Sequence, residues 1–251
     1  MLKSERHKYI LSKIEAEGKV LVNDLTKELE VTEDTIRKDL QELAKLGLVQ
    51  RVHGGALRLD NTNLPFEHRI DQHSVSKKML AKKAASLIDG KKVIYIDSGT
   101  TNLFFAENIP NDYSGIVITN SPTIALALCD HEHITINLLP GELDKHSKVL
   151  KGSATLKAIE GINIELCILG ISSIDIEKGI TVPSFEEAAI KKQLLQQSSH
   201  KIGIVTKEKI GTTSTFFVDS ATSLDTIVTE KGINNAILEP YYNLDLDIHQ
   251  V

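Results

Sequence analysis

Three short runs set small hydroxyl, amide and glycine residues where an anion could be held: Asp97-Ser98-Gly99-Thr100-Thr101, Asn120-Ser121-Pro122 and Pro140-Gly141-Glu142. Each follows an apolar, β-rich segment, and the first two lead into a helical pattern. Backbone amides exposed at a helix N-terminus attract phosphate or carboxylate. The hydroxyls of Ser98, Thr100 and Thr101 would add donors. Asp97 cannot face a phosphate directly, but it can accept from a sugar hydroxyl. Lys209, beyond Ile202-Gly203-Ile204-Val205, can supply a charge-assisted bond. Taken singly, each run is an ordinary strand-to-helix turn, because Ser, Thr, Gly and Asn suit such turns for backbone reasons alone. Three of them at one edge of one sheet predict a phosphate or carboxylate ligand.

A second constellation lies upstream. Val22, Leu25 and Leu29 form one apolar face of a short helix, and Val31 packs the turn after it. Thr32 is a good N-cap for a second helix, with Glu33 and Asp34 suited to the positive end of its dipole. Ile36, Leu40 and Leu43 form the buried stripe of that helix, and Gly47 ends it. The opposite face carries Asp34, Lys38, Gln41 and Lys45, flanked by Thr35 and Arg37. Such side chains reach phosphates and base edges. Leu48 to Val52 and Ala56 to Leu59 can pair across His53-Gly54-Gly55, with Arg51, His53 and Arg58 near the tip. Tyr9, Ile10 and Ile14 suggest a supporting first helix ended by Gly18. The plan is a winged helix-turn-helix, which places one helix in a DNA major groove.

Composition limits this reading. Residues 1–60 hold eleven Lys or Arg and eleven Asp or Glu, so no general basic footprint marks the domain. The net charge of −5 places the acidic excess in the rest of the chain. No apolar run is long enough to span a bilayer, and the N-terminus has no signal-peptide core, so a cytoplasmic protein is expected. Cys129 and Cys167 sit in apolar segments and read as buried thiols. His131-Glu132-His133 lacks a third ligand at helical spacing, and neither metal nor cofactor is expected.

Residues 1–59 therefore read as the winged helix-turn-helix domain and 60–76 as a linker beginning in the polar run Asp60 to Asn63. Residues 77–251 read as a larger α/β domain. Six short β-rich runs there, most separated by helical stretches at 77–88, 101–108, 122–129, 153–160 and 185–198, predict a mainly parallel sheet covered on both faces. Ligands of such sheets bind beyond the strands' carboxyl ends.

Thr35-Ile36-Arg37-Lys38-Asp39-Leu40, followed by Arg51-Val52-His53-Gly54-Gly55-Ala56, resembles the DeoR/GlpR family of bacterial transcriptional regulators. In that family the first run lies in the recognition helix and the second forms the wing. The resemblance continues through residue 230 and takes in Asp97 to Thr101, Thr119-Asn120-Ser121, Pro140-Gly141, Glu187-Ala188 with Lys191, and Lys209. It implies an effector domain that resembles sugar-phosphate isomerases and senses phosphorylated sugars. It further implies a homo-oligomer that binds double-stranded operator DNA and represses a carbohydrate-utilisation operon. The chain departs from the family pattern at Glu142, Thr206 and Glu230. The alternative is a sugar-phosphate isomerase with an accessory domain, for which Asp97, Glu142 and Glu187 are the candidate bases.

Overall fold

The computed structural model describes residues 2–58, 64–88 and 90–251, leaving aside the side chains at 15, 16 and 58. It comprises two compact units, Met1–Arg69 and Ile70–Val251.

The first unit contains α1 (Lys3–Glu17), β1 (Lys19–Leu21), α2 (Val22–Leu29), α3 (Glu33–Lys45), β2 (Val49–Val52) and β3 (Gly55–Arg58). Thr32 caps α3, its hydroxyl accepting the Thr35 amide at 3.3 Å. Ile10, Ile14, Leu25, Ile36, Leu40 and Leu43 close the core, joined by Leu64. Each such burial contributes about 2 kcal/mol. Asp39, on the inward side of α3, is only 2% exposed. Arg6 holds it through Nε–Oδ2 at 2.7 Å and a second guanidinium contact to Oδ1 at 3.1 Å. His7 Nε2 lies 3.1 Å from the same Oδ1. Burial opposes ionisation of Asp39, but the hydrogen bonds from Arg6 and His7 outweigh it and hold the carboxyl below its ordinary range.

The wing is three-stranded, in the order β1-β3-β2, with both pairs antiparallel. Sequence periodicity is silent on β1, which is only three residues long. Of the two adjacent glycines, only Gly54 uses positive φ, at +81°. Gly55 answers a different need. A Cβ there would stand 2.0 Å from the Val20 carbonyl oxygen, so a side chain would push β1 off β3.

Residues 60–63 of the expected linker lie outside the described residues. The rest of that stretch is largely helical, as α4 (Phe66–Asp71) and the start of α5 (Ser74–Ala85). The apolar Phe66, 1% exposed, anchors α4, which the preceding polar run concealed.

The second unit is built on seven parallel strands: β4 (Val93–Ile96), β5 (Gly115–Thr119), β6 (Ile134–Leu138), β9 (Ile164–Gly170), β12 (Ser198–Ile204), β14 (Thr226–Thr229) and β15 (Asp247–Gln250). Their order is β15-β14-β12-β9-β4-β5-β6. Residues alternate between two cores, as a pleated strand requires. Ile94, Ile96, Leu166 and Ile168 pack with α5, α6 (Thr100–Glu107) and α7 (Pro122–Ala127). Tyr95, Cys167 and Leu169 face the other core, with Ile159 of α8 (Ser153–Glu160) and Leu194 of α9 (Phe185–Gln197). Cys129 is exposed rather than buried, because α7 ends at Ala127 and the chain then runs along the surface. Two smaller sheets complete the unit. One is the hairpin β7 (Glu142–Asp144) and β8 (Val149–Lys151); the other joins β10 (Ser173–Asp175), β11 (Gly179–Val182) and β13 (Phe216–Asp219). Helix α10 (Asn235–Tyr242) precedes β15. No helix among the described residues is long and apolar enough to cross a membrane.

Asp39→Ala is expected to lower the stability of the first unit by ~2 kcal/mol, because Arg6 loses its carboxylate in a water-poor setting. Denaturant unfolding of the full chain checks this. Since the folded pKa of Asp39 lies below its unfolded value, its contribution is present above about pH 4 and fades as pH falls through the folded value. Asp39→Asn is therefore expected to weaken the acid dependence of unfolding. Gly55→Ala is expected to displace β1 and lower DNA affinity while the melting of the second unit stays unchanged.

Candidate functional site

The outward face of α3 presents Asp34, Lys38, Gln41 and Lys45, all exposed. Two ion pairs run along the helix there: Arg37 donates to Glu33 Oε2 at 2.9 Å, and Lys38 Nζ lies 2.8 Å from Asp34 Oδ2. Asp34 accordingly raises the Lys38 pKa, first through the hydrogen bond and then through its charge. Thr32 and Thr35 cap the same helix, their hydroxyls 2.9 Å apart. Arg51 and His53 are exposed on the wing beside Gly54, whereas Gly55 is buried. Arg58 closes β3, and its side chain lies outside the described residues.

The second candidate site follows from sheet order. From β4 the chain steps outward through β5 to β6, then returns to the opposite side of β4 as β9. The carboxyl ends of β4 and β9 therefore flank a topological switch point, where open α/β sheets bind ligands. Asp97 follows β4, and Gly170 ends β9. Lys191, from the second turn of α9, reaches between them. Its ammonium pairs with Asp97 Oδ2 and donates to the Gly170 carbonyl oxygen at 2.7 Å. The Gly170 amide donates to Asp97 Oδ2 at 3.0 Å. Lys191 and Asp97 are each 2% exposed. Burial disfavours the Lys191 ammonium, but Asp97 and Glu187 more than offset this and raise its pKa. Glu187 Oε1 lies 3.5 Å from Lys191 Nζ and accepts from the Ser172 hydroxyl at 3.4 Å.

This pairing engages Asp97 Oδ2 with Lys191 and the Gly170 amide, next to the Ser98–Thr101 turn. Gly99 there has φ +134° and leads into α6, whose first turn receives no side-chain cap. Nothing lies within 4 Å of where a Gly99 Cβ would stand, so the backbone is open to a ligand. Thr100 and Thr101 are largely buried at 5% and 8% exposure. Lys209 Nζ donates to the Ile171 carbonyl oxygen at 2.9 Å, one residue beyond the Lys191 contact. Thr206 and Glu230 shape the turn that carries Lys209. The Thr206 hydroxyl donates to Glu208 Oε1 at 2.5 Å, and the Lys207 amide donates to Glu230 Oε2 at 2.6 Å.

Thr119, Asn120 and Ser121 sit deeper than their sequence pattern suggests, each at most 1% exposed. Asn120 exchanges two hydrogen bonds with the backbone of Leu150, pinning β8 across the end of β5. Lys151, next in β8, bridges Asp144 Oδ2 at 3.2 Å and Glu186 Oε2 at 2.7 Å. Gly141 is required by the same arm, since a Cβ would stand 2.4 Å from the Thr155 hydroxyl. Glu142 is exposed in β7.

Sequence reasoning passed over Gly170, Ser172 and Asn102. The Asn102 amide donates to the carbonyls of Asp97 at 2.8 Å and Ile168 at 3.2 Å, clamping β4 to β9. A Gly170 Cβ would stand 2.6 Å from the Ser98 carbonyl oxygen. The only available signal was a Gly closing an apolar strand. A cavity of ≈ 690 Å³ lies at the amino ends of β4 and β5, among Leu87, Lys91, Lys92, Pro110 and Tyr113, and none of the candidate site residues lines it.

Residues 6–62 match the DeoR-like helix-turn-helix domain, and residues 72–231 match the DeoR C terminal sensor domain. The HTH-type transcriptional regulator GolR of Listeria innocua is 29% identical over 99% of this chain and 98% of its own. The glycerol-3-phosphate regulon repressor of Escherichia coli K12 is 30% identical, with 92% of each chain covered. The HTH-type transcriptional repressor GlcR of Bacillus subtilis is 30% identical over 95% of this chain and 93% of its own. Among solved structures, the probable sor operon regulator of Shigella flexneri gives a TM-score of 0.44 at 15% identity, over 79% of this chain and 97% of that one. Ribose 5 phosphate isomerase A of Neisseria gonorrhoeae gives 0.38 at 16% identity, over 53% of this chain and 52% of that one. With its winged helix-turn-helix and its α/β sensor unit both matched, and full-length relatives that are regulators, the chain belongs to the DeoR family of transcriptional regulators.

Proposed function

We propose that this chain is a cytoplasmic repressor of an operon for carbohydrate use, released from its operator by a phosphorylated sugar. Helix α3 enters the major groove, with Arg37, Lys38 and Gln41 meeting phosphates and bases, while Arg51, His53 and Arg58 on the wing meet the adjoining backbone. The effector's phosphate lies on the amides and hydroxyls of Ser98 to Thr101, with Lys209 alongside. Its hydroxyls face the Asp97, Glu187 and Lys191 group. The observation that carries this reading is the buried Asp97–Lys191–Gly170 cluster at the switch point, which leaves the neighbouring helix N-terminus open to an anion. The regulatory names of the full-length relatives, one a glycerol-3-phosphate regulon repressor, favour sensing over turnover. So does the state of Asp97: a base for aldose–ketose exchange must be free to take a proton, and this carboxylate is held by Lys191 and the Gly170 amide. Two copies reading a repeated operator fit the single reader helix per chain. By linkage, the effector weakens DNA binding only as far as it binds the DNA-free form better.

Calorimetric titration of sugar phosphates, beside operator mobility shifts with and without ligand, tests the reading. Lys209→Ala is expected to weaken effector binding by ~30-fold, the loss of one charge-assisted bond, with DNA binding retained. Gly99→Val, which places a β-branched residue at φ +134°, is expected to abolish the response to effector. Either variant folding normally and binding ligand as wild type does would place the phosphate elsewhere. Lys191→Met leaves the Asp97 carboxylate buried without its cation. It is expected to cost the second unit ~3 kcal/mol in denaturant unfolding, beyond any effect on ligand.

A further inference from the structure

We propose that Asp34 and Lys38 together read one G·C pair of the operator, Asp34 accepting from the cytosine amino group and Lys38 donating to the guanine. This rests on the reading that α3 enters the major groove. Asp34 lies in the first turn of α3, the part of a recognition helix that meets base edges. It is on the outward face, opposite Ile36, Leu40 and Leu43, with its side chain 74% exposed.

A carboxylate in that position is an unusual choice. The groove is walled by phosphates, and the O6 and N7 of guanine and the O4 of thymine are acceptors that repel it. Adenine offers an amino group beside an N7 acceptor. Cytosine N4 offers a donor with no acceptor beside it on the same base, so it is the edge a carboxylate meets without penalty. Lys38 has the opposite demand, since an ammonium only donates and guanine O6 and N7 only accept. The two demands are met side by side. In a G·C pair, the cytosine N4 and guanine O6 face the major groove one hydrogen-bond length apart, about 3 Å. Asp34 Oδ2 and Lys38 Nζ stand 2.8 Å apart. The protein pair thus presents an acceptor and a donor at the spacing of the base pair's donor and acceptor. Helix stabilisation alone would also place an acid four residues before a lysine, but it would leave base preference untouched.

The test is selection of bound duplexes from a random-sequence DNA pool by the full-length protein, followed by sequencing. Wild type is expected to enrich a half-site with one fixed G·C pair, any other pair there binding about tenfold more weakly. Asp34→Asn is expected to move the preference at that position from cytosine to adenine, because an amide bonds adenine N6 and N7 together. Asp34→Ala is expected to flatten the preference while binding to unselected DNA holds or rises. Identical base preferences in all three proteins would overturn the inference and leave the reader helix standing. Enrichment of no sequence by wild type would instead remove the major-groove reading itself.

Discussion

A salt bridge taken almost wholly out of water governs the larger unit. Moving an ammonium and a carboxylate from water into a protein interior costs several kcal/mol per ion, and only close pairing with further hydrogen bonds repays it. Lys191 and Asp97 meet that condition through each other and through both polar groups of the Gly170 backbone. Neither charge can be left alone there. The end of β4, the end of β9 and the rotation of α9 are therefore fixed relative to one another. Glycine at position 170 lets the two strand ends close, and the Asn102 amide ties their carbonyls. The open turn at Ser98 to Thr101 lies beside this arrangement, in which the Asp97 carboxylate is already engaged.

The mouth beside that turn is bordered by pieces that depend on it in turn. Asn120 spends its amide on β8, and Lys151 carries the arm across to Glu186 at the start of α9. The helix that supplies Lys191 to the floor of the site thus also receives the arm that crosses its rim. Lys191 and Lys209 hold the consecutive carbonyls of Gly170 and Ile171, just before the chain enters the small sheet at β10. An anion competing for Lys209 would alter the restraint on that segment, which gives ligand binding a physical route into the rest of the unit.

The DNA-reading unit separates its charges by the same rule. Asp39 is buried between Arg6 and His7 and sets α3 against α1. Arg37 and Lys38 on α3 pair with Glu33 and Asp34 of the same helix, in water, where such pairs are weak and easily exchanged. Phosphates can replace Glu33 as the partner of Arg37 with little loss, whereas nothing can replace Asp39. Geometry is stored in the buried pair, and recognition is left to the exposed ones.

Much of this was legible in the chain by itself. The stripe Ile36, Leu40 and Leu43, the cap at Thr32 and the hairpin signal at His53-Gly54-Gly55 are local patterns, and local patterns survive without knowledge of the fold. The alternation of apolar runs and helical stretches likewise determined a parallel sheet, and the small residues stand out in the sequence as the turns that follow its strands. Tertiary structure alone decided the rest. Periodicity over three or four residues cannot reveal β1, the β7–β8 arm or the β10–β11–β13 sheet, because such strands exist only through their neighbours. No spacing rule connects Asp97 with Gly170 and Lys191, which lie far apart in sequence and meet only because β9 returns beside β4. Nor does composition tell that Thr119, Asn120 and Ser121 are roofed by an arm, or that Gly55 is needed for the carbonyl of Val20 rather than for a turn. Local residue choice specifies elements; which polar groups end up sharing the same dry space is a property of their assembly.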